Sequence, residues 1–289
     1  MVWGSELWVL SGYSERPTKV AGGEYDGLSV NELIALRKEE LMGRRVYAKF
    51  GDEFPLLVKF IDAKADLSIQ VHPDEKLAQE RHGAHGKTEM WYVIKAAPGA
   101  HLYSGLSVPL SPEKYVELVE KDQIVSVLAD QKVAPGDVFF LPAGRIHAIC
   151  GGTYLAEIQQ TSDITYRIYD YGRPGMDGKP RELHTALAKD AIDYKVYDSY
   201  RTSYTPAPDR ENRLVECEYF NTSLLELTKP YEMDLSGLDT CLMVMCVEGA
   251  GKIDGHKAQA GEAFLVDAVQ KSLTLEPSAG GLKLLTSYV

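Results

Sequence analysis

Short apolar runs, cut by Gly and Pro, dominate this chain, and that rhythm confines it to a mainly β fold. The segments Arg45–Phe50, Leu67–Val71, Glu89–Ile94, Asp137–Leu141, Thr153–Gln159, Ser223–Leu227, Leu242–Val247 and Ala263–Val266 all read as strands. Two turn-plus-strand units resemble each other. One is Val133-Ala134-Pro135-Gly136-Asp137-Val138-Phe139-Phe140-Leu141, the other Ala258-Gln259-Ala260-Gly261-Glu262-Ala263-Phe264-Leu265-Val266. In each, a Gly followed by an acid turns the chain into an apolar strand, because Gly reaches backbone angles that other residues resist. Each unit also follows a strand able to be its hairpin partner. A length of 289 residues, at about 150 per domain, then suggests two copies of one β architecture. We expect a double-stranded β-helix, or jelly roll, in each half, a fold that often holds a ligand in its mouth. The Ser/Thr/Pro-rich stretch Tyr200–Arg210 reads as the linker, giving domains at 1–205 and 206–289. Helical spacing appears only at Ser29–Glu40, Ser111–Leu118 and Glu182–Ala191, the first two opened by capping-type serines.

Charge narrows the partners. Lys and Arg number 31 against 42 Asp and Glu, a net charge of −11. Nucleic acid and anionic membrane are held mainly by clustered Lys and Arg, so neither is expected as a partner. A small anion, needing only one or two local cations, stays allowed. No apolar run approaches the roughly 20 residues that cross a bilayer. The start Met1-Val2-Trp3-Gly4-Ser5-Glu6 lacks a basic n-region, so a cytoplasmic protein is expected. Cys150, Cys217, Cys241 and Cys246 form no Cys-x-x-Cys pair and read as reduced core residues.

Three segments carry chemistry. In Leu67-Ser68-Ile69-Gln70-Val71-His72-Pro73, strand alternation puts Ser68, Gln70 and His72 on one face and the aliphatics on the other. That face suits an outer sheet surface as well as a ligand site. Lys87 and Glu89 share a face at the start of another apolar strand, and His147 follows the Leu141-Pro142-Ala143-Gly144 turn. Together Gln70, His72, Glu89 and His147 offer two imidazoles, a carboxylate and an amide oxygen. That set suits Zn²⁺ with positions left open, or the two-His, one-carboxylate triad of iron oxygenases.

Longer motifs surround these residues. Ser68-Ile69-Gln70-Val71-His72-Pro73, Lys87-x-Glu89 and Leu141-Pro142-Ala143-Gly144-x-x-His147-Ala148 resemble type I mannose-6-phosphate isomerases of the cupin superfamily. So does the run from Gly151 through Glu157-Ile158-Gln159-Gln160-x-Ser162-Asp163 to Arg167. The ending Tyr166-Arg167-Ile168-Tyr169-Asp170-Tyr171-Gly172-Arg173 and the opening Trp3-x-x-Glu6-Leu7-Trp8 are similar to the short bacterial branch. The resemblance covers most of residues 1–200. It implies that Gln70, His72, Glu89 and His147 bind one zinc ion per chain, and that Lys87 and Arg167 are active-site cations. The chain departs from the long forms at Gly86, where they carry His before the Lys; a role for that His does not transfer, and His85 is the nearest substitute.

The implied reaction moves a proton between C2 and C1 of a sugar phosphate through a cis-enediol(ate). It needs a metal to stabilise the oxyanion and an acid–base group working near neutrality. Lys87 is the candidate base, with a metal and burial expected to lower its pKa; Asp163 is its rival. Arg167 would neutralise the enediolate or grip phosphate. Ser68 and Arg173 are candidate substrate contacts, with Arg145 a further cation for phosphate. The second half has only His256 and reads as a degenerate cupin without metal, with a monomer or homodimer expected. The competing readings are a metal-cupin enzyme for another sugar phosphate and a sugar-phosphate sensor without turnover.

Overall fold

A computed structural model describes residues 1–289. Ten strands form its first two sheets: β1 (Gly4–Ser11), β2 (Leu56–Ala63), β3 (Ile69–Val71), β4 (Glu89–Ala96), β5 (His101–Leu106), β6 (Leu128–Lys132), β7 (Val138–Leu141), β8 (His147–Ile149), β9 (Thr153–Gln160) and β10 (Tyr166–Tyr169). One sheet has the order β1-β2-β9-β4-β7 and the other β10-β3-β8-β5-β6. Seven more strands, β11 (Glu211–Glu216), β12 (Asn221–Leu227), β13 (Tyr231–Asp234), β14 (Leu242–Ile253), β15 (His256–Gln259), β16 (Ala263–Val266) and β17 (Ser272–Tyr288), make a third. The helices are α1 (Val30–Arg37), α2 (Glu39–Met42), α3 (Arg44–Phe50), α4 (Glu75–His82), α5 (Pro112–Glu120) and α6 (Thr185–Ala191). None is long and apolar enough to cross a membrane.

The chain divides into two compact units, Met1–Leu7 with Lys59–Thr202 and Trp8–Val58 with Ser203–Val289. The later boundary falls within the expected linker. Residues 8–58, however, go with the C-terminal half, not with the first as expected. Both of their boundaries lie inside strands β1 and β2, so no Gly- or Pro-rich loop marks them. Residues 45–50, expected as a strand, are helical in α3 between Gly43 and Gly51; over so few residues the two periodicities overlap. The expected helix at Ser29–Glu40 breaks at Lys38, whose φ is 48°.

In the first unit the core has two layers. Ile61, Trp91, Val93, Phe139, Leu141 and Leu155 of one sheet meet Leu102 and Ile149 of the other. Behind the second sheet, Ile69, Val71, Ala148, Tyr166 and Ile168 pack against Tyr115, Leu118 and Val119 of α5 and Ala188 of α6. Helices thus cover the outer face of β3, β8 and β10. This decides which way their polar residues point: the aliphatics of β3 go outward under the helices, and Gln70 faces the space between the sheets. A polar stripe that alone resembles a wetted surface is the inside of the sandwich.

Candidate metal centre

Alternation delivers one polar group per strand to that interior. Glu89 opens β4 on the face of Trp91 and Val93, and His147 opens β8 on the face of Ile149. Register brings them together: Gln70 stands opposite His147 on one side and Arg167 on the other. Gly144, at φ +88°, shapes the turn before β8, where a Cβ would lie 2.9 Å from the Ala191 carbonyl. Its N–H donates to the carbonyl of His72 at 2.9 Å, tying the two histidine segments.

One ligating atom each of His72, Glu89 and His147 lies within 4.8 Å of the others, and all three residues are buried. His72 Nε2 is 3.5 Å from Glu89 Oε2, and His147 Nε2 is 3.3 Å from Glu89 Oε1. Each ring donates its Nδ1–H to a backbone carbonyl, Ile164 at 2.8 Å and Arg145 at 2.7 Å. That fixes the tautomer and leaves both Nε2 lone pairs aimed at the carboxylate. Burial holds His147 down to about 4. Burial, followed by the charge of Lys87, lowers His72 well below the usual imidazole range. Both rings are therefore in the neutral, ligating form. Burial and then Glu157 push Glu89 up to about 7, against the pull of Lys87 and Lys59.

His72 Nε2 and both carboxylate oxygens of Glu89 are buried without a hydrogen-bond partner. Orphaned acceptors of this kind are costly unless something electropositive sits among them. Gln70 Nε2 lies 3.3 Å from His147 Nε2, and turning the amide over presents its oxygen to the same point. The donor set fits a divalent cation.

Beside the cluster lies a cavity of about 170 Å³, lined in part by Gln70 and Lys87. Ser68, Asp163 and Arg167 also line it. The Lys87 ammonium is 3.4 Å from Glu89 Oε2. Burial works against its charge, but Glu89, Glu157 and Asp163 outweigh burial, so in the protein alone its pKa is raised, opposite to the expected direction. Two candidates fall outside the lining. Arg173 is drawn onto Asp170, donating from Nε at 2.9 Å, and Arg145 stacks between Tyr197 and Tyr200 at 4.9 and 4.6 Å. Asp170, three residues after Arg167, pairs instead with Arg173 and Arg181.

Sequence reasoning missed Lys59, Glu157 and Arg181, all of which line the cavity. Lys59 sits 3.1 Å from Glu157 and donates to Gln159 Oε1 at 2.8 Å, while Trp91 Nε1 donates to Glu157 at 2.8 Å. Burial alone would raise Glu157; Lys59 and Lys87 instead hold it down to about 2. A signal was available: one lysine within Leu56–Ala63 and one glutamate within Thr153–Gln160, each among buried neighbours.

The sequence model described as phosphomannose isomerase type I, catalytic domain, matches residues 4–93. The mannose-6-phosphate isomerase of Streptococcus mutans is 38% identical over 98% of this chain and 88% of its own length. A putative mannose-6-phosphate isomerase of Bacillus subtilis is 33% identical, covering 98% and 89%. The chain belongs to the type I phosphomannose isomerase family. A crystal structure of the Bacillus subtilis mannose 6-phosphate isomerase superposes with a TM-score of 0.87 at 32% identity, covering 99% of this chain and 90% of that one. The fold is that of the cupin members of this family.

Membership gives Gly86 a physical reading. A Cβ there would lie 2.5 Å from the backbone nitrogen of Glu75, so this backbone has no room for the histidine of the long forms. His85 is bonded away from the cavity. Its Nδ1 bonds Glu75 at 2.7 Å, and the residue is not part of the cavity lining.

Proposed function

We propose that this protein is a zinc-dependent isomerase interconverting mannose 6-phosphate and fructose 6-phosphate through a cis-enediol(ate). One observation carries the reading: the buried acceptors of His72 and Glu89, without a hydrogen-bond partner, lie with His147 and Gln70 beside a cavity lined by Gln70, Lys87 and Arg167. The names of the relatives support the substrate. Two imidazoles, a carboxylate and an amide oxygen, without thiolate, suit one Zn²⁺ per chain.

When bound, the cation supplies Lewis-acid stabilisation of the charge that develops on O1 and O2. The residues of the chain do the remaining work. Gln70, His72, Glu89 and His147 would hold the ion. The Lys87 ammonium is kept protonated largely by Glu89; once that carboxylate is neutralised, the amine form of Lys87 comes within reach of neutral pH. The amine takes the proton from C2, the C–H electrons close the C1–C2 double bond, and the aldehyde oxygen becomes the enediolate oxygen. The protonated amine returns a proton to C1 as the O2 hydroxyl proton passes to O1, leaving a ketone at C2 and a hydroxyl at C1. Arg167, across from Gln70, faces the developing charge. Asp163, on the cavity wall, is the rival base. Ser68, buried on the same strand face, donates to a sugar hydroxyl. A cytoplasmic location suits four free cysteines.

The deciding assay incubates metal-reconstituted protein with mannose 6-phosphate and follows fructose 6-phosphate. No turnover with Zn²⁺, Co²⁺ or Mn²⁺ sinks the reading. Exchange of the C2 proton with solvent should vanish in Lys87→Ala; retained exchange would move the base to Asp163.

A further inference from the structure

The strongest unassigned feature is a cluster of three arginines around one buried carboxylate. Asp170 is 5% exposed. It accepts from Arg181 Nε at 2.7 Å and Nη2 at 2.6 Å, and from Arg173 Nε at 2.9 Å. Arg167 is held nearby through the segment that carries Arg181. Its Nη1 donates to the Glu182 carbonyl at 3.0 Å, its backbone N–H donates to His184 Nδ1 at 3.0 Å, and its carbonyl accepts from the His184 N–H at 2.7 Å. Two guanidiniums thus share one carboxylate, with that of Arg167 held close by. Arg167 and Arg181 bring two guanidiniums to the wall of one cavity, in a chain whose net charge is −11.

Such an arrangement repels itself until an anion enters. Arg167 shows the strain: burial and then the charge of Arg181 lower its pKa, and its buried Nε has no hydrogen-bond partner. Of the two arginines on Asp170, only Arg181 lines the cavity. The bidentate bond uses its Nε/Nη2 edge, so the Nη1 donors and the second Nη2 hydrogen are left for a ligand. A guanidinium locked along one edge by a buried carboxylate loses little rotamer freedom on gripping a second anion.

We propose that Arg181, oriented by Asp170, binds the phosphate group of the sugar phosphate, the role that the sequence suggested for Arg173. Asp170 is a positioning residue, and the Arg181–His184 segment serves the site twice, by supplying Arg181 and by clamping Arg167. The assignment deepens the isomerase reading and rests on it for the identity of the sugar.

The test uses the zinc-loaded full chain. Arg181→Ala should raise the KM for mannose 6-phosphate at least 20-fold while kcat changes far less, because a remote anchor contributes alike to ground and transition states. Arg181→Lys, which keeps the charge without the fork, should raise KM about 5-fold, and Asp170→Asn should also act on KM. Arg173→Ala should raise KM less than Arg181→Ala does. In parallel, titration calorimetry with inorganic phosphate should show affinity at least 10-fold weaker in Arg181→Ala than in wild type. Wild type that turns over no mannose 6-phosphate, yet binds phosphate through Arg181, would fail the isomerase reading and keep the anion site. Wild-type KM and phosphate affinity in both Arg181 variants would overturn the assignment, as would a larger KM effect from Arg173→Ala than from Arg181→Ala.

Discussion

Glu89 and Leu242 stand at the same place in two hairpins and bury opposite chemistry. In the first unit β7, the strand after the Gly-Asp turn, pairs with β4 and sets Leu141 opposite Glu89. In the second, β16, the strand after the Gly-Glu turn, pairs with β14 and sets Val266 opposite Leu242. Leu242 packs among Leu225, Val244, Leu273 and Leu284. Every buried Lys, Arg, Asp and Glu of the protein lies in the first unit. One strand plan therefore runs with an apolar interior and with a charged one. The charged interior is what a site requires and what stability alone would not select, since isolated buried charges cost several kcal/mol. Four experiments bear on that contrast.

The largest effect should come from removing the donors that only the first unit has. Glu89→Gln and His147→Ala should each lower turnover of mannose 6-phosphate at least about 10³-fold, the scale on which essential catalytic groups act. Elemental analysis after dialysis should show the zinc content falling well below one per chain. Unchanged activity in His147→Ala would detach the metal from the chemistry.

Transplanting the charge the other way comes next. Leu242→Glu puts a carboxylate into an interior with no cation and no neutral histidine to meet it. Thermal or urea unfolding should show a loss of about 3–5 kcal/mol, the scale of an uncompensated buried charge, with no zinc gained. A loss under about 1 kcal/mol would mean that the second interior is wetter than its apolar lining indicates.

How far this contrast was legible in sequence follows from the same strands. Period-two alternation gave the face shared by Ser68, Gln70 and His72, and turn chemistry gave both Gly-acid hairpins. Alternation cannot say which face is covered. Only the packing of α5 and α6 on Ile69, Val71 and Ile168 turns the polar stripe inward, and helices distant in sequence leave no trace in a strand's own pattern. Lys59 and Glu157 were missed because each is a single charge in an apolar run, and only pairing across β2 and β9 shows that they meet. Arg181 lies outside any regular element, where no periodicity points at a site. Nothing in the spacing selects Arg173 or Arg145 among the cations near the motifs, and the Arg173 guanidinium is taken by Asp170. Residues 8–58 group with the C-terminal half, and the chain leaves and re-enters within strands, with no linker composition to read.

A smaller and opposite effect is expected from Glu89→Leu, which copies the second unit into the first. Replacing a buried ion by an apolar group of similar volume is often neutral or stabilising by about 1–4 kcal/mol. With zinc removed by chelation at pH 8, the variant should unfold at the same temperature as wild type or higher. With zinc restored the order should reverse, because only wild type gains from binding. A variant less stable than wild type under chelation would show that Lys87 depends on Glu89 more than on Glu157 and Asp163.

The finest distinction is in pH. Glu89 is pushed up to about 7, above its unfolded value, so the metal-free protein is favoured by the protonated carboxyl and loses that stability as pH rises through 7. Zinc needs the ionised form and must displace that proton below 7. His147, held near 4, and His72, lower than usual, stay neutral across this range and add no competing proton. Zinc affinity should therefore rise about tenfold, or 1.4 kcal/mol, between pH 6 and 8 and level off above that. In Glu89→Gln the same titration should be flat between pH 6 and 8. A hundredfold rise per pH unit in wild type would mean that two protons leave, the second from Lys87, and the ammonium beside the carboxylate would then be part of the metal site's charge balance as well as its chemistry.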